Sequence, residues 1–88
     1  MSVKSYQDRV RALGCMVCSD IDKMIEPSQL HHVESVRDGL SEYAVVPLCE
    51  YHHIGAGGVH GLSRRGFVAR YKLTDVDLLA MVARGLNK

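Results

Sequence analysis

The spacing of apolar residues changes along the chain, and each change marks an element. Val3, Tyr6, Val10 and Leu13 recur every three to four residues, which lines one face of a helix. This predicts a helix over about 3–13, with Gly14 as the stop that turns the chain into Cys15. Residues 20–28, with Pro27, predict an irregular connection, and 29–33 a first strand. A loop or hairpin connection over 34–41 carries Arg37-Asp38-Gly39. Residues 43–48, Tyr-Ala-Val-Val-Pro-Leu, form the most β-like run in the chain. Pro47 predicts that its end is an edge or is already leaving the sheet. A helix starting near Glu50 meets Gly55, Gly57, Gly58 and Gly61, so 54–63 reads as a flexible loop or an interrupted helix. Residues 64–71 are compatible with a helix. Thr74 and Asp77 then resemble a capping box, and Val76, Leu79, Ala83 and Leu86 share one face of a final helix over about 74–86.

The expected order is helix, Cys-x-x-Cys knuckle, two-stranded hairpin, broken helix, terminal helix. That is a small α+β domain over 1–88, with its core in 15–67 and a helix flanking each end. A two-stranded sheet does not hold itself in water, and 88 residues bury only a modest share of their surface. A staple is therefore expected. Apolar residues make up 47% of the chain and charged ones 24%, intermixed, which argues for a globule rather than disorder. No apolar run reaches the ~18 residues of a membrane span. The polar, acid-bearing start resembles neither a secretory signal nor a transit peptide, so a cytoplasmic location is expected. There, thiols stay reduced and Cys-x-x-Cys is more often metal-binding or redox-active than a structural disulfide.

The candidate staple is Cys15-Met-Val-Cys18 together with Cys49-Glu-Tyr-His52. Each pair has the two-residue gap that lets both side chains reach one tetrahedral zinc, so a Cys3His site would pin the knuckle to the helix after the second strand. The alternative makes Cys49 a small buried hydrophobe and Cys15/Cys18 a redox pair, although the strand-to-helix context of a thioredoxin-type motif is missing. The remaining histidines need another account. His31 and His32 are neighbours on a strand and point to opposite faces, so one can ligate a metal while the other faces substrate. With His52 on zinc, His53 is available to face the hairpin. His60 either completes a second metal site by folding back or is a surface-loop histidine.

The sequence Cys15-x-x-Cys18, His31-His32-Val33, Val46-Pro-Leu-Cys49-x-x-His52-His53, followed by His60-Gly61, resembles the HNH (ββα-metal) nucleases. Within them it is most similar to the phage recombination-enhancement, RecA-dependent nuclease family, over Cys15 to about Phe67. The resemblance implies a zinc-stapled ββα-metal fold and hydrolysis of DNA phosphodiester bonds, as an endonuclease or nickase of phage or mobile-element origin. It implies His32 as the general base that activates water. His31 and His53 would hold a divalent catalytic metal, with His60 as a further ligand, and Cys15, Cys18, Cys49 and His52 the structural zinc. Mg2+ suits the scissile phosphate, while imidazole ligands also suit Zn, Ni or Mn. The chain departs from the pattern at the family's middle asparagine, which falls near Ala44. That residue normally orients the catalytic histidine; here Glu42 or a backbone carbonyl would have to do so.

Net charge is only +1, but between His60 and Lys72 the chain carries Arg64, Arg65, Arg70 and Lys72 and no acid. This is either a solvated helix face or a stripe that contacts DNA phosphates. Nothing resembles a base-reading helix, so target choice would come from DNA structure or from a partner, and a RecA-type filament is what the resemblance implies. The competing function is a catalytically degenerate HNH scaffold: a zinc module that binds DNA or a host protein, as a phage-type inhibitor would. A thiol oxidoreductase is a third class, requiring Cys15 and Cys18 to cycle free of zinc. Oligomeric state is not legible, although an exposed terminal helix would offer a face to a second copy.

Overall fold

The computed structural model describes residues 2–22, 26–33, 36 and 40–87. The Arg37-Asp38-Gly39 turn lies outside them. Helix α1 spans Val3–Ala12, and Ser2 caps it by accepting from the Ser5 amide. It ends because Gly14 takes φ 78°, a left-handed conformation that suits glycine. A π-helical turn, Cys18–Asp22, follows where an irregular connection was expected.

Strands β1 (Gln29–His32) and β2 (Val45–Leu48) pair antiparallel, with His31 opposite Val46 and Leu30 opposite Pro47. The Val33 amide donates to the Ala44 carbonyl at 2.9 Å, which makes 33/44 a hydrogen-bonded pair. By alternation 30/47 is a non-hydrogen-bonded pair, so the donor that Pro47 lacks would have faced away from β1. Pro47 thus sits at the outer edge but inside the strand. Tyr43 is not part of that strand. It belongs to a 3-10 turn, Ser41–Tyr43, and its ring packs on Tyr6 of α1 at 5.3 Å.

All four residues of β2 are buried, so both of its faces are covered. Val45, Val46 and Leu48 join Val10, Val17, Val33, Phe67, Leu78 and Val82 in the core. Helix α2 is a single turn, Glu50–His53, and α3 spans Val59–Tyr71. The glycines between them permit close approach rather than merely interrupting a helix. A Cβ on Gly61 would run into the Gly55 carbonyl. Tyr71 Oη then donates to the Gly57 carbonyl at 2.7 Å, tying the far end of α3 to the same loop. Within α3 the backbone kinks at Ser63 (φ 67°, ψ 163°), and Ser63 Oγ accepts from the Gly66 amide to cap the second half.

Helix α4, Asp75–Leu86, starts with the expected capping box. Thr74 Oγ1 accepts from the Asp77 amide at 3.1 Å, and the Thr74 amide donates to Asp77 Oδ2 at 2.9 Å. Those hydrogen bonds hold the Asp77 carboxyl below its usual range. The expected apolar face was wrong in part. Leu78 and Val82 are buried, flanked by Leu79, Met81 and Leu86, while Val76 is 74% exposed. The larger i, i+4 pair takes the core and leaves Val76 and Ala83 outside. Nor is α4 a free-standing helix: it packs on β2 and α1, and Arg9 Nη2 donates to the Leu86 carbonyl at 3.4 Å. No helix among the described residues is long and apolar enough to cross a membrane.

Two candidate metal centres

The left-handed turn at Gly14 leads into the buried Cys15, whose amide donates to the Glu26 carbonyl at 3.1 Å. Cys18 lies one turn further on. Cys49 is the residue that opens α2, and His52 follows three residues later on the same side of the helix start. The four side chains converge. His52 Nδ1 lies 3.6 Å from Cys15 Sγ, 3.5 Å from Cys18 Sγ and 3.2 Å from Cys49 Sγ, and the Cys18 and Cys49 sulfurs are 3.7 Å apart. Tetrahedral zinc, with Zn–S ~2.3 Å and Zn–N ~2.05 Å, would set sulfur from sulfur by about 3.8 Å and sulfur from nitrogen by about 3.6 Å. The cluster could hold a metal such as zinc, with Cys49 Sγ and His52 Nδ1, at 3.2 Å, having to part by a few tenths of an ångström.

Electrostatics agree with the geometry. Without a cation, burial pushes the Cys15 thiol up and, aided by hydrogen bonds to Cys49 and Cys15, pushes Cys18 up to about 12. Thiolates packed this closely need a cation to neutralise them, so metal binding must release protons. The His52 ring is held edge-on by Tyr51 at 5.1 Å and Tyr71 at 5.4 Å. All three cysteines are free of disulfides.

The second group is His31, His53 and His60, whose ligand atoms lie within 4.8 Å of one another. Ring centroids are 5.5 Å apart for His31–His53, 5.7 Å for His31–His60 and 5.0 Å for His53–His60. The strand, the turn of α2 and the start of α3 each contribute one ring. His31 is 4% exposed, His53 half-buried and His60 exposed, so the cluster runs from the core to solvent. Burial, and then the neighbouring His60, lower the pKa of His53 and favour its neutral, ligating form. His53 Nδ1–H donates to Gln29 Oε1 at 2.9 Å, leaving Nε2 with its lone pair. Gln29 escaped the sequence reading, although the two-residue period of β1 puts it on the same face as His31.

His32 is set apart from this group. It is exposed, on the other face of β1, with Nε2 3.6 Å from Glu42 Oε1. Gln7 of α1 donates to the Glu42 carbonyl at 3.0 Å and approaches Glu42 Oε2 at 3.4 Å. Ala44 is buried and its carbonyl accepts from Val33; among the described residues Glu42 is the acid that faces His32. Arg64, Arg65, Arg70 and Lys72 are all exposed. Arg70 stacks over the Tyr71 ring at 5.5 Å. Arg64 behaves differently: it pairs with Asp75 Oδ2 at 3.6 Å, an acid just beyond the window that looked purely basic. No protein-family model and no curated protein matches the chain.

Proposed function

We propose that the chain is a metal-dependent DNA endonuclease or nickase built on an HNH-like ββα-metal scaffold, with zinc as its staple. The observation that carries this reading is the open His31–His53–His60 cluster beside Arg64. Four ligands close a tetrahedral site, whereas three imidazoles leave coordination positions for water or substrate. A purely structural role does not account for a second histidine group that reaches solvent.

In this reading His31, His53 and His60 hold a divalent ion, which when bound supplies Lewis-acid stabilisation of the phosphate and the leaving oxygen. His32 is the last residue of β1, so a phosphate held at the cluster must pass the strand end for His32 to take a proton from the attacking water. The water oxygen then bonds to phosphorus and the P–O3′ bond breaks, with the leaving oxygen protonated from solvent. Glu42, held by Gln7, orients the His32 ring in place of the family's asparagine. The basic residues of α3 position the backbone without reading bases. A RecA-type filament or another host protein would then supply target choice.

Plasmid nicking tests this reading. Wild type should nick with Mg2+ or Mn2+ and not with EDTA, and His32→Ala should lose nicking while keeping its fold and zinc. If His32→Ala cuts as well as wild type, the assigned base is wrong. Glu42→Ala should slow nicking, because it removes the carboxylate that faces His32 Nε2 at 3.6 Å. The second reading, a zinc module that binds DNA or a host protein without cutting, is favoured by Ala44, whose side chain lies in the core and cannot orient a base. That reading requires binding by wild type and no nicking with any divalent ion.

A further inference from the structure

Beside the open histidine cluster lies a pocket of about 180 Å3. Its walls include His31, His60, Ser63, Arg64 and, from α4, Asp75. The pocket opens to solvent, and its guanidinium, imidazoles and hydroxyl are donors that suit a phosphate oxyanion.

Arg64 is the pocket's guanidinium among the described residues, and it is already engaged by the Asp75 carboxylate. A guanidinium offers carboxylate and phosphate the same planar fork of donors, so the two anions compete for it. The Asp75 side chain is 17% exposed in the pocket wall, while Arg64, at 58%, has room to turn. Thr74 and Asp77 supply the capping hydrogen bonds of α4, so Asp75 adds only its charge to the first turn.

We propose that Asp75 is a built-in competitor that holds Arg64 away from nucleic-acid phosphate until a polyanion displaces it. This rests on the hydrolytic reading for the identity of the ligand, but not for the competition itself. The carboxylate lowers idle affinity for small anions and leaves net binding to a chain of phosphates. It acts as a specificity-determining residue placed outside the stretch that resembles a nuclease.

The test is fluorescence anisotropy of a labelled short duplex with zinc-loaded full chain, without an activating divalent ion, across a salt series. Arg64→Ala should weaken binding about tenfold and reduce the salt slope by about one. Asp75→Asn should tighten binding about two- to fivefold, the range released by breaking an exposed ion pair. In the double variant that gain should vanish, which separates competition for Arg64 from general charge. Asp75→Ser repeats the test should the asparagine variant lose thermal stability. Binding no tighter than wild type in a folded Asp75 variant, or a gain that persists without Arg64, overturns the proposal. Binding is read apart from cutting. A chain that binds through Arg64 but never nicks upholds the competition and sinks the hydrolytic reading. Nicking by wild type together with an Asp75→Asn that binds no tighter does the reverse.

Discussion

The two Cys/His clusters share one small scaffold and differ in nearly every property that decides what a metal does. The Cys15–Cys18–Cys49–His52 group has four ligands, matches a tetrahedron and is mostly buried. The His31–His53–His60 group has three ligands, no sulfur, and one ring in solvent. Sulfur and full coordination favour tight, inert binding; imidazoles and an open position favour exchange and chemistry. His52 and His53 are adjacent on a single helical turn, yet serve different clusters. A helix rotates about 100° per residue, so one short turn can address both sites.

The largest effect should come from breaking the closed cluster. A structural zinc contributes ~10–16 kcal/mol in small domains, against a total stability of ~5–15 kcal/mol. Cys49→Ala should therefore lose the folded state outright, seen as collapse of the far-UV circular dichroism signal and of zinc content. His53→Ala should instead keep fold and zinc while losing the second metal and nicking; an unfolded His53→Ala would merge the two clusters into one structural unit.

Smaller changes sharpen the contrast. Gln29→Ala should cost the open site about 10–100-fold in metal affinity by releasing the His53 ring, with no change in zinc retention. Gly61→Ala should destabilise by ~1–3 kcal/mol, because its Cβ meets the Gly55 carbonyl between α2 and α3. Acid should act on both the fold and the open site through His53. Its pKa is lowered in the metal-free fold, so the neutral form is the folded one and the stability it carries is present above the unfolded value of ~6.5. That stability should fall as pH drops from there through the lowered folded value. A denaturation series from pH 7.5 to 5 on metal-free-site protein checks the sign, and His53→Ala should flatten that part of the curve.

Much of this contrast was legible because metal ligation imposes spacing. Two residues between Cys15 and Cys18, and again between Cys49 and His52, foretold a converging group that the fold assembles. The capping box at Thr74 was legible for a similar reason, since both of its hydrogen bonds are local. What depended on distant contacts was not. Val76 and Leu78 are equally apolar in sequence, and only the packing of α4 on α1 and β2 decides which is buried. The glycines after α2 read as an interruption because their use, close approach of two helices, exists only in three dimensions. Arg64 read as one cation in a basic run, but Asp75 reaches it across the turn between α3 and α4.

The central claim, that one scaffold carries a closed structural site and an open exchangeable one, is tested most directly by counting metals under graded chelation. Protein loaded with zinc and then with Mn2+ should hold two equivalents. Mild chelator should remove one with the fold intact, and strong chelator should remove the second together with the fold. His53→Ala should begin with a single equivalent, the tight one. Wild type that binds only one metal, or that releases both at the same chelator concentration, would contradict the account.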